Sequence, residues 1–222
     1  MKYILSPSLL SADFTALDRE IKVCEDNNVA YLHIDVMDGM FVPNISIGIP
    51  VVKSIRKITD LVLDVHLMIV KPERYIKAFA EAGSDIINIH YEATEDHIGV
   101  LKEIKKLGKK AAVTIKPNTS YKDIISLSDY VDMFLVMSVE PGFGGQSFIE
   151  STLKNVEGLA EYRENNGLSY DIEIDGGINA DNITSPLDAG ANIIVAGSAV
   201  FGKGDTAEKI RKLNGIIDKY NK

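Results

Sequence analysis

The sequence contains one cysteine and no tryptophan, and it has no long apolar run. A single cysteine, Cys24, excludes a disulfide framework within the chain and is typical of proteins in a reducing cytoplasm. A membrane helix needs about 20 consecutive apolar residues, and no segment approaches that length. The first residues, MKYILSPSLLSADF, are interrupted by Pro7 and Asp13, which predicts a strand and a loop rather than a signal peptide. We therefore expect a cytoplasmic protein with no membrane partner.

Positive charge is also scarce. Lys and Arg together number 24 against 32 Asp and Glu, which gives a net charge of −8 at pH 7. A protein that binds the phosphate backbone of nucleic acids needs clustered Lys and Arg, so the composition argues against a nucleic-acid partner. The net charge is still compatible with a small phosphorylated ligand, because such a ligand contacts only a small local site on the protein.

Short β-branched segments alternate with longer helical segments throughout the 222 residues. Eight strands that are each followed by a helix favour an α/β fold, a closed (β/α)8 TIM barrel that spans residues 1–222 as a single domain. An open doubly wound sheet is the alternative, but it predicts a glycine fingerprint after the first strand, and SPSLLSADF has no glycine. The predicted strands are Tyr3–Ser8, Tyr31–Asp35, Leu61–His66, Ile86–His90, Ala111–Ile115, Met133–Met137, Asp171–Asp175 and Ile193–Ala196. The predicted helices include Phe14–Asn27, Glu73–Ala82, Val100–Lys106, Ile149–Asn165 and Thr206–Tyr220.

Histidine and aspartate recur in these predicted strands. Catalytic side chains of a barrel project from the C-terminal ends of its strands. Residues two apart on a strand share a face, so His33 and Asp35 point the same way, as do Asp64 and His66. The fourth strand ends in His90 and the seventh in Asp175.

Two imidazoles and two carboxylates that converge on one point would hold one divalent ion and leave room for substrate oxygens. Such ligands suit Zn, Fe, Mn or Co. One His-x-Asp pair alone is more often a hydrogen-bonded strand end, but its recurrence on separate strands favours a metal site. Asp64 is either a hydrogen-bonding partner of a ligand or a buried structural carboxylate. The predicted metal ligands are His33, Asp35, His66 and Asp175.

Glycine-rich segments follow the last three predicted strands. Barrels often bind phosphate with the loops after strands 7 and 8, where glycine lets backbone N–H groups approach an anion. The segments contain no Lys or Arg, so backbone amides and a helix dipole would hold the phosphate. Each segment alone is equally a tight turn between strand and helix, and the first is also a candidate mobile lid. The residues concerned are Gly142, Phe143, Gly144, Gly145, Gly176, Gly177, Gly197 and Ser198.

Five further segments occur in order after SPSLLSADF: HIDVMDGMFVPNISIG, DVHLM, VEPGFGGQSF, EIDGGI and AGANIIVAGSAVF. Together they resemble the ribulose-phosphate 3-epimerase family over nearly the whole chain. The resemblance implies a (β/α)8 barrel, a divalent metal, and an isomerase of the pentose phosphate pathway that interconverts D-ribulose 5-phosphate and D-xylulose 5-phosphate. It also implies a homo-oligomer, either a dimer or a hexamer.

Residue by residue, the resemblance makes Asp35 and Asp175 the acid–base pair and also metal ligands, together with His33 and His66. Ser8 and His66 would contact the substrate, and the glycine-rich segments would surround its phosphate. A sister family that acts on D-allulose 6-phosphate is similar over the first three strands but departs from GFGGQ and DGGI. Both motifs are intact here, which favours the pentulose phosphate.

The expected reaction inverts a carbon next to a ketone, so a proton must leave one face and a proton must return to the other. Two opposed carboxylates can serve as base and acid, and a divalent cation can stabilise the enediolate between the two steps. A metal-free phosphate-binding barrel, one alternative, would rely on lysine at strand ends, where only Lys116 is comparable. A non-catalytic sugar-phosphate-binding barrel, a second alternative, would not need both the ligand set and two opposed carboxylates.

Overall fold

Eight parallel strands form one sheet in the computed structural model, which describes residues 1–221. The strands are β1 Ile4–Pro7, β2 Tyr31–Met37, β3 Val62–Met68, β4 Ile86–His90, β5 Lys110–Ile115, β6 Met133–Met137, β7 Asp171–Asp175 and β8 Ile193–Ala196. In the sheet β1 lies beside β8, and every other strand lies beside its neighbours in the sequence. The predicted (β/α)8 barrel is therefore confirmed, although β2 and β3 continue two residues beyond their predicted ends.

A bridge between β1 and β2 closes the sheet into a barrel. Ser8, one residue beyond β1, forms a parallel bridge with His33 of β2. The backbone N–H of Ser8 also donates to the carbonyl of Ala196 on β8, at 3.1 Å. Ser8 therefore joins the two edges of the sheet, and the closure brings the C-terminal ends of all eight strands to one face.

In residues 1–221, seven α-helices lie between consecutive strands and two follow β8, and several begin later than predicted. Phe14–Ala16 is a 3-10 turn capped by the side chain of Asp13, so the first α-helix starts at Leu17. Four short helices have no predicted bounds, because they contain too few turns for an apolar period to be recognised. None of the helices in residues 1–221 is long and apolar enough to cross a membrane. The helices are α1 Leu17–Asp26, α2 Ile49–Arg56, α3 Ile76–Ala82, α4 His97–Lys106, α5 Tyr121–Ile124, α6 Leu153–Asn165, α7 Thr184–Asp188, α8 Ser198–Phe201 and α9 Thr206–Ile217.

Alternate strand residues point outward and form the main core beneath the helices. On β2 these residues are Leu32, Ile34 and Val36, all of them buried, and they belong to the same apolar cluster as Ile21 of α1. A parallel strand between helices and the barrel interior is buried on both faces, which is why such strands read as nearly continuous apolar runs. Polar residues that interrupt these apolar runs therefore have a role other than packing.

The barrel interior changes from apolar to polar toward the C-terminal face. Its N-terminal end is filled by an apolar cluster of Tyr31, Ile86, Ala112, Met133 and Ile193. Burying polar side chains costs free energy unless they are paired, so a polar layer inside a barrel is better explained by function than by stability. These side chains lie directly beneath the candidate active site. The fully buried polar side chains of the interior include Ser6, His33, Asp64, Asn88, Thr114 and Glu173.

The Phe134→Ala variant tests the outer core. Phe134 is fully buried, and its ring meets Tyr170 edge-on with 4.9 Å between centroids. We expect its truncation to lower the free energy of unfolding by about 3–5 kcal/mol, measured by urea denaturation. Phe14 is 46% exposed, so Phe14→Ala is the matched control and should cost about 1 kcal/mol or less. Equal losses in the two variants would contradict the place given to Phe134.

Candidate active site

A cavity opens at the C-terminal face of the barrel. Three methionines, Met37, Met68 and Met137, contribute to its walls at the ends of β2, β3 and β6. Two predicted residues, His33 and His66, are fully buried beneath it. The other predicted residues all line the cavity: Ser8, Asp35, Gly142, Phe143, Gly144, Gly145, Asp175, Gly176, Gly177, Gly197 and Ser198.

The four predicted metal ligands converge beneath this cavity. His33 Nε2 lies 3.3 Å from His66 Nδ1, and both nitrogens approach Asp35 Oδ1, at 3.3 Å and 3.1 Å. Asp175 Oδ2 lies 3.9 Å from His33 Nε2. One donor atom from each residue lies within 4.8 Å of all the others. Two imidazole nitrogens and two carboxylate oxygens converge here, all buried except for the partly exposed Asp175, and they form a donor set that fits a divalent transition-metal ion.

Hydrogen bonds fix the orientation of two of these ligands. His33 Nδ1 lies 2.7 Å from Asp64 Oδ2, and Asp64 is itself fully buried. A carboxylate that accepts from Nδ1–H leaves the Nε2 lone pair of His33 directed at the site. Asp64 is therefore the hydrogen-bonding partner of His33, a predicted metal ligand. On the opposite side, the Ser8 hydroxyl donates to Asp35 Oδ2 at 2.6 Å.

The two carboxyl groups of the site have pKa values shifted in opposite directions. Burial acts to raise the pKa of Asp35, but the positive charge and hydrogen bonds of His33 and His66 outweigh it and hold that pKa well below its usual range. Burial and the neighbouring charge of Asp35 raise the pKa of Asp175 to about 6. In this coupled pair Asp35 is the ionised carboxylate, and Asp175 is the one that protonates more easily.

A second carboxyl group lies under the site, that of Glu173, which the sequence patterns do not single out. It is fully buried, and its Oε1 lies 3.6 Å from His33 Nδ1. Burial and the charge of Asp64 raise its pKa well above the usual range, which favours the protonated, uncharged carboxyl group. Its position two residues before Asp175 places both on one face of β7, a signal that the sequence did contain.

His90 is a further histidine of the site that the sequence analysis placed at a strand end without giving it a role. Its ring is fully buried, and its Nε2 lies 2.9 Å from His66 Nε2. Burial lowers the pKa of His90 to about 4, so the ring is neutral at physiological pH. His66 thus has polar partners on both sides of its ring.

The glycine-rich loops form the other wall of the cavity. Gly177 has φ +66°, and a Cβ there would collide with the backbone nitrogen of Phe148. A Cβ on Gly197 would lie 2.6 Å from Ser11 Oγ. A hydrogen bond links the loop after β6 to the loop after β2, because Asn44 Nδ2 donates to the Gly142 carbonyl at 2.8 Å. Among residues 1–221, no lysine or arginine lines this cavity, so an anion bound here would depend on backbone N–H groups.

The sequence matches the model of the family described as "Ribulose-phosphate 3 epimerase family" over residues 4–201. The chain belongs to this family. It is 47% identical over 214 residues to ribulose-phosphate 3-epimerase of Bacillus subtilis (strain 168), covering 95% of this chain and 98% of that protein. It is 48% identical over 210 residues to the chloroplastic ribulose-5-phosphate-3-epimerase of Arabidopsis thaliana, covering 94% of this chain and 75% of that protein. The resemblance seen in the motifs is therefore confirmed.

Solved structures outside the ribulose-phosphate 3-epimerase family share the architecture. Thiamine phosphate pyrophosphorylase from Pyrococcus furiosus superposes with a TM-score of 0.68, covering 98% of this chain and 96% of that one. The two sequences are only 17% identical, so this likeness shows the fold alone. The epimerase family follows instead from the sequence match and from residues at the strand ends.

Metal loading of this epimerase-family protein should release a proton. Burial acts to lower the pKa of His33, but the carboxylates of Asp35 and Asp64 outweigh it and raise that pKa well above its usual value. The raised pKa favours the cationic, doubly protonated ring when no metal is bound, whereas a histidine that binds a metal ion must be neutral. We expect about one proton to be released when Zn²⁺ binds at pH 7. Calorimetry in buffers of different ionisation enthalpy measures this number, and a binding heat independent of the buffer would contradict the expectation.

Proposed function

We propose that this protein interconverts D-ribulose 5-phosphate and D-xylulose 5-phosphate by inverting C3, an isomerase reaction. The observation that carries the proposal is the convergence of Asp35 and Asp175, from β2 and β7, on one point beside two buried histidines. Membership of the ribulose-phosphate 3-epimerase family supports the choice of substrate. The same membership supports an enzyme rather than a sugar-phosphate-binding barrel without activity.

The two aspartates perform the proton transfers. One carboxylate removes the C3 proton, and the electron pair of the C–H bond moves into an enediolate. The other carboxyl group then delivers a proton to the opposite face of C3, and the carbonyl re-forms. Their opposite pKa shifts suit these roles, because one group must be ionised while the other holds a proton. In the reverse direction the same pair exchanges roles.

His33, Asp35, His66 and Asp175 would hold one divalent metal ion, Zn, Fe, Mn or Co. When bound, the ion supplies Lewis-acid stabilisation for negative charge on the substrate's oxygens. Asp64 holds the ring of His33 in the orientation that this requires. Ser8 has two roles, because its hydroxyl orients Asp35 and also reaches the cavity where it can contact the substrate.

The substrate's phosphate would bind at the loops after β6, β7 and β8. Backbone N–H groups of Gly144, Gly177, Gly197 and Ser198 are the proposed donors, since these residues line the cavity and no cation lines it among residues 1–221. Glycine is required where the chain passes closest to its neighbours, as at Gly177 and Gly197. Phe143, 54% exposed at the cavity rim, would cover the bound sugar. We further propose a cytoplasmic homo-oligomer, either a dimer or a hexamer, acting in the pentose phosphate pathway.

The Asp35→Asn and Asp175→Asn variants test the acid–base pair. Each should lower turnover by about 10²–10⁴-fold, because an amide neither accepts nor delivers the C3 proton. The measurement is deuterium incorporation at C3 of D-ribulose 5-phosphate in D₂O, followed by NMR together with the appearance of D-xylulose 5-phosphate. Asp60→Asn, at an exposed position before β3, is the matched control and should leave the rate unchanged.

The same exchange assay separates the remaining possibilities. Verified removal of the metal by a chelator should abolish exchange in the wild-type protein, and exchange that survives would reject the catalytic role of the ion. Near-normal turnover in a folded Asp35→Asn or Asp175→Asn variant would reject the assignment of the acid–base pair. Exchange with D-allulose 6-phosphate but not with D-ribulose 5-phosphate would reassign the substrate.

Removal of the substrate's phosphate should reduce turnover and not only binding. Binding energy at a remote group can be used to orient the reacting carbon, so D-ribulose should react far more slowly than D-ribulose 5-phosphate at saturation. Steady-state kinetics with both ketoses give kcat and KM separately. Equal kcat values for the two substrates would contradict a phosphate site that orients the sugar.

A further inference from the structure

A chain of hydrogen-bonding groups leads from the ligand His66 to the surface. His66 Nδ1 faces Asp35 Oδ1 at 3.1 Å, and His66 Nε2 faces His90 Nε2 at 2.9 Å. His90 Nδ1 then faces Glu92 Oε2 at 3.2 Å. The two imidazole rings are fully buried, whereas the side chain of Glu92 is 24% exposed. The chain therefore begins at the metal site and ends at the rim.

The outer end of this chain is held by backbone and side-chain donors. The other carboxylate oxygen of Glu92, Oε1, accepts from the backbone N–H of Lys116 at 2.9 Å and from the hydroxyl of Thr119. The His90 ring is also packed against Phe41, with 4.7 Å between ring centroids. Both Glu92 and His90 are thus fixed by contacts that do not involve the metal site.

One arrangement of protons satisfies the contacts that run outward from His66 Nε2 through His90 to Glu92. Glu92 is an acceptor, so the proton of a neutral His90 must sit on Nδ1. His90 Nε2 is then an acceptor, and it must receive a proton from His66 Nε2 because the two nitrogens are 2.9 Å apart. His66 therefore carries a proton on Nε2, so Nδ1, which faces Asp35 Oδ1, is the nitrogen that can present a lone pair to a bound metal ion.

We propose that Glu92 and His90 are positioning residues that set the tautomer of His66 and thereby its affinity for metal. The inference rests on the proposed metal site. His33 is oriented in a different way, because the buried carboxylate of Asp64 contacts its ring directly. For His66, the carboxylate of Glu92 acts through the imidazole of His90, on the neighbouring strand β4. A residue at the rim of the barrel therefore determines which nitrogen of His66 faces the metal site.

The Glu92→Gln variant tests this proposal. A glutamine amide can donate to His90 Nδ1, which would move the His90 proton to Nε2 and leave two N–H groups facing each other. We expect Co²⁺ affinity, measured by competition with a chromophoric chelator, to fall by about 10- to 100-fold. Glu95→Gln removes the same charge from an exposed position in the same loop, and its affinity should equal that of the wild type.

Long-range ¹H–¹⁵N NMR of the Zn²⁺-loaded wild-type protein gives a readout that a merely structural role would not produce. The proton should be found on Nε2 of His66 and on Nδ1 of His90. A proton on Nε2 of His90, or equal Co²⁺ affinity in folded Glu92→Gln and Glu95→Gln variants, would overturn the inference while leaving the proposed function intact. Failure of the wild-type protein to bind Co²⁺ would overturn the metal site and this inference together.

Discussion

The closure of the sheet between β1 and β2 is the constraint on which the site depends. Ser8 and His33 form the bridge at this junction, and both residues also belong to the site. Ser8 is bonded through its backbone to β8 and through its hydroxyl to Asp35. Because the bridge fixes the register of β1 relative to β2, it also fixes the position of the Ser8 hydroxyl relative to the Asp35 carboxylate. An opening at this junction would separate β2, which carries two of the proposed metal ligands, from the loop after β8, where we propose that the phosphate binds.

The interior of the barrel balances buried charge with hydrogen bonds. Asp35, Asp64 and Glu173 are all buried, and isolated carboxylates in such a place would be strongly unfavourable. Asp35 and Asp64 lie against imidazole rings, and burial and the charge of Asp64 raise the pKa of Glu173, which favours its uncharged form. The arrangement keeps Asp35 ionised and makes Asp175 easier to protonate, so the same packing that makes burial tolerable also separates an acid from a base.

Much of the site could be predicted from the spacing of a few residues. A period of two along a strand places His33 with Asp35 and Asp64 with His66, and a strand end in a barrel faces the cavity. Glu173 obeys the same rule with Asp175 but was missed, because one glutamate in an apolar strand gives little sign of its partners. His90 was noted as a strand end, yet nothing in its spacing shows that its ring touches that of His66.

The sequence by itself determined the fold, the strand faces and the family, because these depend on local periodicity and on motifs that lie within single segments. It did not determine the ends of the helices, where turns such as that at Asp13 compete with the helix. Only the tertiary structure decided which nitrogen meets which oxygen. Those contacts join β1, β2, β3, β4 and β7, which are far apart in the chain, and their distances are set by the register and closure of the barrel. Protonation in the site follows from the same contacts, since the pKa of each buried group depends on neighbours that the fold supplies.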